Sequence, residues 1–162
     1  AQTKLPVGIL PGEKPYATLA EMRQLKELGV DFMDSFLQVL PEDFKQLEMP
    51  KVIAPGHPWT PALIKQIEEW GADAIEATIF PHSLYRTPLV PGDFDLYRSL
   101  TRITKLPVAD PTQKAIRPEE VAGLKEAGVN GLVIGAVVTG NTADTLRQAT
   151  AKFRQAIDRL KE

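Results

Sequence analysis

Short apolar runs alternate with longer amphipathic stretches along the whole chain, and this alternation predicts strands separated by helices. The last apolar run, at residues 131–138, contains hardly any polar side chain, which is typical of a parallel strand covered on both faces. The pattern therefore predicts an α/β protein with a parallel sheet. The six predicted strands are residues 4–10, 31–36, 51–54, 74–78, 107–110 and 131–138.

Residues with strong positional preferences mark the ends of the predicted helices. Thr18 and Glu21 have the spacing of a capping box, and Thr60 stands directly before Pro61, a residue suited to the first helical turn. Three helices are each followed by a glycine that can adopt the left-handed conformation at a helix end, namely Gly29, Gly71 and Gly128. In the first helix, apolar residues at helical spacing predict one buried face, formed by Leu19, Met22, Leu25 and Leu28.

A module of two strands occurs three times in the sequence. Its copies begin with LPVGILPG at residue 5, MPKVIAPG at residue 49 and LPVADPTQ at residue 106, and each then reaches a similar helix end, LKELGVD, IEEWGAD or LKEAGVN. Repetition in pairs, with about 27 residues per strand, favours parallel TIM-barrel-like βα repeats over a doubly wound sheet. We expect one α/β domain, residues 1–162, made of three βαβα quarter-barrel units that form an incomplete barrel.

Composition narrows the classes of function. The 19 Lys and Arg residues balance 21 Asp and Glu residues, so no overall field attracts nucleic acid or an anionic membrane. The chain has no cysteine, which excludes disulfides, thiolate catalysis and cysteine-based metal sites. No apolar run reaches the length of about 18 residues that a membrane span needs. Because the sequence contains no secretory segment, we expect a cytoplasmic location.

Two carboxylates are the first candidates for catalysis. In a parallel barrel the loops after the carboxyl ends of the strands gather on one rim, where active sites lie. Asp34 and Glu76 each stand at the end of an apolar strand, where a charge is costly unless it faces a site. We predict that they exchange protons with a substrate. The alternative is that each caps a helix or pairs with a neighbouring lysine.

Lys114 is the third catalytic candidate. Lys14, beside Glu13, occupies the matching loop of the first module. A lysine at this rim can form a Schiff base with a carbonyl or hold a phosphate, although a Schiff-base role requires a desolvated amine. The alternative is a solvated side chain in a proline-rich loop.

A glycine-containing turn after the last predicted strand is a candidate phosphate site. A helix with Leu146 and Phe153 on one stripe follows it, and Asn141 or Thr142 is its predicted cap. A turn that leads into a helix offers free backbone N–H groups to an anion, although an ordinary turn that binds nothing has the same appearance. The predicted phosphate-binding residues are Gly135, Ala136, Thr139, Gly140 and Asn141.

The loop at residues 79–92 is longer than most connections and is typical of a binding loop or an interface. Arg86 can grip a carboxylate or a phosphate with two hydrogen bonds. The alternative is an oligomer contact through Leu84, Tyr85, Leu89 and Val90. A mixed site for a divalent metal is a further alternative, formed by His57, His82, Asp34 and Asp110.

The ending LPVADPT…LKEAGVNGLVIGAVVTG resembles the seventh and eighth strands of the phosphate-binding TIM barrels, the group of ribulose-phosphate-type epimerases and related lyases. The segment GVDFMDSFLQVLPEDF has a short similarity to the pyridoxal-synthase-like lyases of this group. The resemblance implies phosphate at the turn around Gly135. In those families the seventh strand commonly ends in a phosphate-binding glycine pair. Residues 110–114 take that place here, and we expect Gln113 to contact the substrate.

The resemblance implies a lyase or isomerase that acts on a small phosphorylated carbonyl compound and needs no cofactor. Alternatives are a non-catalytic scaffold or binding subunit, and a barrel that binds flavin mononucleotide. If the ending is the end of a barrel, the chain begins near the third strand and two strands are missing. An open arc of six strands would leave two unpaired edges, so we expect a homo-oligomer, a dimer or larger, with no nucleic-acid or membrane partner.

Overall fold

The computed structural model describes residues 4–12 and 16–160. Glu13 and Lys14, two candidates named above, lie outside the described residues. The strands are β1 (Gly8–Ile9), β2 (Phe32–Phe36), β3 (Lys51–Ala54), β4 (Ala74–Glu76), β5 (Val108–Asp110) and β6 (Gly131–Leu132). The helices are α1 (Leu19–Glu27), α2 (Pro61–Glu69), α3 (Pro91–Arg102), α4 (Val121–Glu126), α5 (Ala136–Thr139) and α6 (Ala143–Arg159). Short 3-10 turns lie at Leu37–Val39, Glu42–Gln46, His82–Leu84 and Pro118–Glu120.

The six strands form one parallel sheet in the order β1-β2-β3-β4-β5-β6. Each strand pairs with its neighbours in sequence. Helices connect them as in a barrel, except between β2 and β3, where two short 3-10 turns make the connection. Among the described residues, β1 and β6 pair on one side only, so the sheet is an arc with two open edges. The predicted fold class, an incomplete TIM-barrel-like α/β fold, is confirmed.

A matched pair of hydrogen bonds confirms the threefold repeat. In the first module Asp31 accepts the Val7 amide at 2.7 Å through its side chain and donates its own amide to the Val7 carbonyl at 2.8 Å. Asp73 makes the same two bonds with Lys51, and the third copy pairs Asn130 with Val108. We call these bonds the strand clamps. Each clamp fixes the amino-terminal ends of the two strands of one module.

The helix signals are confirmed at both ends. Thr18 and Glu21 form the capping box of α1, and the Thr60 side chain caps α2 ahead of Pro61. The glycines that end α1, α2 and α4 have left-handed backbones, with φ of +95° at Gly29, +73° at Gly71 and +92° at Gly128. The prediction that Leu28 lies on the buried face is wrong. Leu28 follows α1 as its C-cap and is 81% exposed.

The prediction of one strand over residues 131–138 is also wrong. Strand β6 ends at Leu132, and α5 begins at Ala136 with Gly135 as its N-cap. Gly135 ends the extended run, and its carbonyl accepts the amides of Val138 and Thr139, so the valines there lie in a helical turn. An apolar run alone does not distinguish a buried strand from a short buried helix.

Four other predicted strands are shorter in the structure. Strand β1 keeps only two of the seven residues predicted, and the ring of Phe32 lies against Gly8, where it leaves no room for a side chain. Strand β4 ends at Glu76, since the next amides bond locally, Thr78 to Glu76 and Ile79 to Ala77. Strands β2 and β5 each begin one residue later than predicted, and β3 has the predicted bounds.

The two faces of the sheet differ in burial. Residues that alternate on the outer face pack beneath the helices, and Met33, Ile53 and Ile75 are each 0% exposed. The opposite, inner face of the arc is partly open, and Asp34 and Glu76 lie on it. Within the described residues, every helix is too short or too polar to cross a lipid bilayer.

Candidate active site

Asp34 and Glu76 lie on the same face of the sheet, on alternate strands. Asp34 is level with Val52 of β3, which in turn pairs with Ala74 of β4. Glu76 is two residues beyond Ala74, so its side chain points to the same face of the sheet as that of Asp34. It lies two residues nearer the rim formed by the carboxyl ends of the strands. We call these two residues the acid pair. Both side chains are only partly exposed, and they interact with each other directly.

The acid pair holds a proton near neutral pH. Burial raises the pKa of Asp34 to about 6, against the opposing effect of hydrogen bonds from Glu76 and from the Ser35 amide. Burial also raises the pKa of Glu76 to about 8, and the negative charges of Asp34 and Asp110 act in the same direction. At neutral pH the favoured state has Glu76 protonated and Asp34 ionised. The pair thus offers a general acid and a general base at one place.

A second buried carboxyl lies at the end of β5, beneath α3. Asp110 is 1% exposed and accepts hydrogen bonds from the Tyr97 hydroxyl at 2.9 Å and from the Thr112 amide at 3.1 Å, both on Oδ1. Burial raises the pKa of Asp110 to about 6, although these two bonds oppose the shift. Burial and the Asp110 charge raise the pKa of Tyr97. Tyr97 therefore stays a hydrogen-bond donor to Asp110.

Lys114 is buried in an ion pair. Its ammonium donates to Asp93 Oδ2 at 2.6 Å and lies 5.3 Å from the centre of the Phe80 ring. The side chains of Lys114 and Asp93 are 4% and 8% exposed. Asp93 also accepts the Val90 amide at 2.8 Å and so caps α3. The structure therefore excludes the solvated alternative for Lys114, and its amine is occupied by Asp93.

Gln113 holds the loop at residues 79–90 against the end of β5. Its side-chain oxygen accepts the Phe80 amide at 3.1 Å, its side-chain nitrogen donates to the Tyr85 hydroxyl, and its carbonyl accepts the Arg86 amide at 2.9 Å. Arg86 has a left-handed backbone with φ of +64°, and it is exposed on the rim. Both polar ends of the Gln113 side chain are thus used within the protein, whereas Arg86 faces solvent.

The candidate phosphate turn has fewer available amides than the sequence suggests. The Gly135 amide donates to the Thr112 hydroxyl, the Thr139 amide to the Gly135 carbonyl, and the Gly140 amide to the Ala136 carbonyl. The Thr139 hydroxyl is also bonded, to the carbonyls of Gly135 and Gly140. The first two amides of α5, those of Ala136 and Val137, come before any bond within the helix. Asn141 is exposed before Thr142, which caps α6.

Thr112 connects the ends of β5 and β6. Besides accepting the Gly135 amide at 3.0 Å, its hydroxyl donates to the Val133 carbonyl at 3.0 Å, and its amide donates to Asp110. It is 1% exposed and has φ of +50°, a conformation that is strained for a β-branched residue. Thr112 thus fixes the turn before α5 to the buried carboxyl of β5.

Sequence reasoning missed three residues of this region. Asp93 could have been found from its place three residues after Val90 and two after Pro91, which is the position where an acidic side chain bonds the amide of the N-cap. Tyr97 could not have been found, because nothing in the sequence reveals that its hydroxyl meets Asp110. Tyr16 lies two residues before Thr18, the N-cap of α1. It could not have been found, because its ring meets the ring of Phe44 edge-on, and the local sequence does not reveal this contact.

The four residues of the alternative metal site do not come together. Among the described residues, no group of three or more His, Asp and Glu side chains is arranged to hold a metal ion. His82 stacks on Tyr85 at 4.7 Å between ring centres, and His57 is exposed on the loop after β3. The residues of the predicted oligomer contact do not all lie on the surface. Leu89 is 8% exposed and lies in the core, whereas Val90 is 52% exposed.

Parallel βα modules in an arc, with ionisable groups on the carboxyl-end rim and a short extra helix after the last strand, are features of a TIM-barrel-like fold. No protein-family model matches the sequence, and no curated protein sequence matches it. Solved structures do match, and they confirm the resemblance at the level of fold.

Three of these structures illustrate the likeness. The 3-keto-L-gulonate-6-phosphate decarboxylase from Vibrio cholerae has a TM-score of 0.61 and 17% identity, over 87% of this chain and 67% of that one. KGPDC from Streptococcus mutans has a TM-score of 0.68 and 11% identity, over 96% of this chain and 73% of that one. A mutant tryptophan synthase alpha-subunit from Pyrococcus furiosus has a TM-score of 0.68 and 17% identity, over 94% of this chain and 66% of that one.

The matched part is smaller than these proteins. This chain spans between 66% and 73% of their lengths. Identities of 11% to 17% show a shared fold and no more. The chemistry of this chain must therefore be argued from its own acid pair and rim.

Proposed function

We propose that this protein is a lyase or isomerase that moves protons on a small phosphorylated carbonyl compound. The observation that carries the proposal is the acid pair, because Asp34 and Glu76 share a proton near neutral pH on the open inner face of the sheet. One carboxyl in each protonation state is what a reaction through an enol needs. The decarboxylase from Vibrio cholerae, a lyase of a phosphorylated sugar acid by its name, has the same fold.

In the proposed reaction, Asp34 removes a proton from carbon next to the carbonyl group, and Glu76 gives its proton to the carbonyl oxygen. Asp34 then returns its proton to the former carbonyl carbon of the enediol, and Glu76 takes the proton of the hydroxyl on the neighbouring carbon, which becomes the new carbonyl. This completes an isomerisation and returns both carboxyls to their starting states. In a lyase the same pair acts on a C–C bond. Asp34 takes the hydroxyl proton of the leaving fragment, and Glu76 protonates the enolate carbon.

The phosphate group of the substrate is proposed to lie at the turn after β6. The amides of Ala136 and Val137 and the exposed Asn141 are the groups there that the protein does not use itself. Gly135, Thr139 and Gly140 would then shape the turn, since their amides are bonded within the protein. Arg86 is the proposed second contact from the opposite loop. Lys114 is proposed to fix the floor of the rim through Asp93.

The test is hydrogen exchange on a probe substrate. Dihydroxyacetone phosphate is incubated with the protein in deuterium oxide, and NMR follows the signal of the carbon-bound protons. We expect exchange that falls by a factor of about 100 or more in Glu76→Gln and in Asp34→Asn. Glu69→Gln, an exposed change on α2, is the matched control and should keep the rate. Equal exchange in all four proteins would refute the catalytic role of the acid pair.

A non-catalytic scaffold is the second candidate function. The observation in its favour is that Lys114 and three of the five predicted phosphate-binding residues are bonded within the protein. A titration with inorganic phosphate, followed by NMR, distinguishes the enzyme from the scaffold. With an enzyme, inorganic phosphate should shift the amide signals of Ala136 and Val137, whereas a scaffold would leave them in place.

Association with a second copy is proposed to cover the edges of the arc. Leu10 and Val7, at 55% and 44% exposed, flank β1, and Val133, at 47% exposed, directly follows β6. A parallel sheet with two unpaired edges and apolar side chains beside both is suited to further pairing. Sedimentation at micromolar concentration should give a mass of at least two chains. A mass of one chain would refute the association.

A further inference from the structure

The two junctions between modules have the same register. Strand β2 pairs with β3 where the first module meets the second, and β4 pairs with β5 where the second meets the third. Met33 lies opposite Lys51 in the first junction, and Ile75 lies opposite Val108 in the second. In both, the residue of the earlier strand donates its amide to the carbonyl of the proline before the next strand, at 3.0 Å and 2.9 Å. Each module is thus attached to the preceding one in the same way.

The open edge of β6 has the donor half of such a junction. Leu132 is placed on β6 as Ile75 is on β4, two residues after the clamp residue, which is Asn130 in this module. Val133 donates its amide to the Asp110 carbonyl of β5 at 2.8 Å. Because successive amides of a strand point to opposite sides, the Leu132 amide points to the open edge.

The open edge of β1 has the acceptor half. Residues 3–7 read TKLPV, and the same five letters occur at residues 104–108, the segment that brings β5 onto the edge of β4. Val7 bonds to Asp31 of β2 through both its amide and its carbonyl. The carbonyl of Pro6, one residue earlier, therefore points to the open edge.

The helix layer shows the same difference between covered and open modules. In the third module, the Thr101 hydroxyl of α3 donates to the Ala127 carbonyl after α4 at 2.7 Å, and Ala127 is 1% exposed. In the second module, Lys45 lies 4.9 Å from the centre of the Trp70 ring. Leu28 has this position in the first module, where it is 81% exposed and lines a groove beside β1. Helix α6 follows β6 as α3 follows β4, so α6 of a second copy is suited to cover Leu28.

An apolar groove of about 200 Å³ lies beside the amino-terminal end of β6, between α4 and α6. At the two internal junctions, the residue before the proline is apolar and packed, since Met49 is 4% exposed and Leu106 is half-buried. Leu5 has the same place before β1, and it is 74% exposed. The apolar side chains that line the groove are Val121, Leu124, Val129, Leu132, Ile157 and Leu160.

We propose that copies of this chain associate head to tail, with β1 of one copy paired to β6 of the next and Val7 opposite Leu132. The Leu132 amide donates to the Pro6 carbonyl, Leu5 enters the groove beside β6, and α6 covers Leu28. This inference rests on the association proposed above and gives its geometry. Because the contact joins two different surfaces, further contacts of this kind close a ring or add another copy.

Cysteine cross-linking tests the register, since the chain has no cysteine of its own. The double variant Val7→Cys/Leu132→Cys places two thiols on directly opposed residues, a spacing that a disulfide can bridge. Oxidation should then link most of the protein into dimers or larger species. Val7→Cys/Val133→Cys is the matched control, because the side chain of Val133 points to the other face and should give few links. Equal cross-linking in the two double variants, or links in Val7→Cys alone, would overturn the proposal.

Sedimentation of the parent protein distinguishes a wrong register from a failed association. A mass of two or more chains, without links in Val7→Cys/Leu132→Cys, would overturn the register and leave the association intact. A mass of one chain would overturn both.

The helix contact is tested with Leu28→Asn. The variant should weaken the association by a factor of about ten or more, because a leucine side chain no longer becomes buried. Leu96→Asn, which changes a 40% exposed leucine of α3, is the matched control and should associate like the parent. Sedimentation over a range of concentrations measures both. An equal effect of the two variants would overturn the proposed contact of α6 with Leu28.

Discussion

The hydroxyl of Thr112 accepts the amide of Gly135 at 3.0 Å, so the residue expected to bind phosphate is bonded to the protein itself. The same hydroxyl donates to the Val133 carbonyl, and this arrangement keeps Thr112 at a strained φ of +50°. The turn before α5 is therefore fixed by a side chain that follows the neighbouring strand, β5. Its shape depends on a contact between β5 and β6 that the local sequence does not reveal.

Thr112→Val should lower the free energy of unfolding by about 1–3 kcal/mol, because the Gly135 amide and the Val133 carbonyl lose their partner where water has little access. Thr112→Ser keeps the hydroxyl without the branched carbon and should stay close to the parent. Urea unfolding measures both. The Gly135 amide should also exchange faster with solvent in Thr112→Val only. Equal exchange in the two variants would contradict the role of the hydroxyl.

Asp93→Asn should destabilise the protein by about 3–5 kcal/mol, since it leaves the buried Lys114 ammonium without a counter-charge. The asparagine oxygen can still cap α3 through the Val90 amide, so the loss reports on the ion pair. Asp95→Asn, on the same helix, breaks an exposed pair with Arg98 and is the matched control, with an effect below about 1 kcal/mol. Thermal unfolding measures the stability of both variants. Similar losses of stability in the two would contradict the importance of burying the ion pair.

The strand clamps give a prediction on the repeat. Asp73→Ala removes the acceptor of the Lys51 amide and should cost about 0.5–1.5 kcal/mol. Asp73→Asn should cost little, because Asn130 makes the same two bonds in the third module. Asn130→Asp should be tolerated for the same reason. Denaturant unfolding tests all three, and a loss in Asp73→Asn as large as in Asp73→Ala would contradict the equivalence of the clamps.

The repeat was visible in the sequence because each module carries its own local signals. Thr18 with Glu21, Thr60 with Pro61 and the left-handed Gly128 all act within a few residues of the chain, so the helix ends could be predicted. Asp34 and Glu76 could be named from charge at the end of an apolar strand. Their contact follows from the shared face of β2 and β4.

The remaining site features arise from contacts between residues far apart in the chain. Lys114 meets Asp93 across 21 residues of chain, and Thr112 meets Gly135 across 23. No local sequence pattern predicts which carboxylate forms an ion pair with a lysine, or which hydroxyl accepts a hydrogen bond from an amide. For the same reason α5 was mistaken for part of a strand, since Gly135 ends the strand through bonds that apolar character does not reveal.

The free energy of unfolding should fall as the pH rises from about 4 to about 8. Asp34, Asp110 and Glu76 have a higher pKa in the folded protein, about 6, 6 and 8, than in the unfolded chain, so the folded state binds more protons in this range. The stability that these bound protons supply is fully present below the pKa values of the unfolded chain. It is lost as the pH rises through the pKa values of the folded protein. One proton gives a slope of about 1.4 kcal/mol per pH unit.

Glu76→Gln isolates the upper part of this range. It should flatten the dependence between pH 6 and pH 8, because the group with the highest folded pKa no longer titrates. Glu69→Gln, exposed on α2, should leave the slope unchanged. Urea unfolding at several pH values gives both slopes, and a parent protein whose stability rises over this range would contradict the burial of the carboxyls.

The most direct test of the account is the titration of the acid pair itself, followed by NMR of labelled carboxyl carbons of Asp34 and Glu76. We predict that the pair keeps one proton at pH 7, with Glu76 titrating near 8 and Asp34 near 6. Titration of both carboxyls near 4, as in an unfolded chain, would contradict it, because two ionised groups provide a base and no acid.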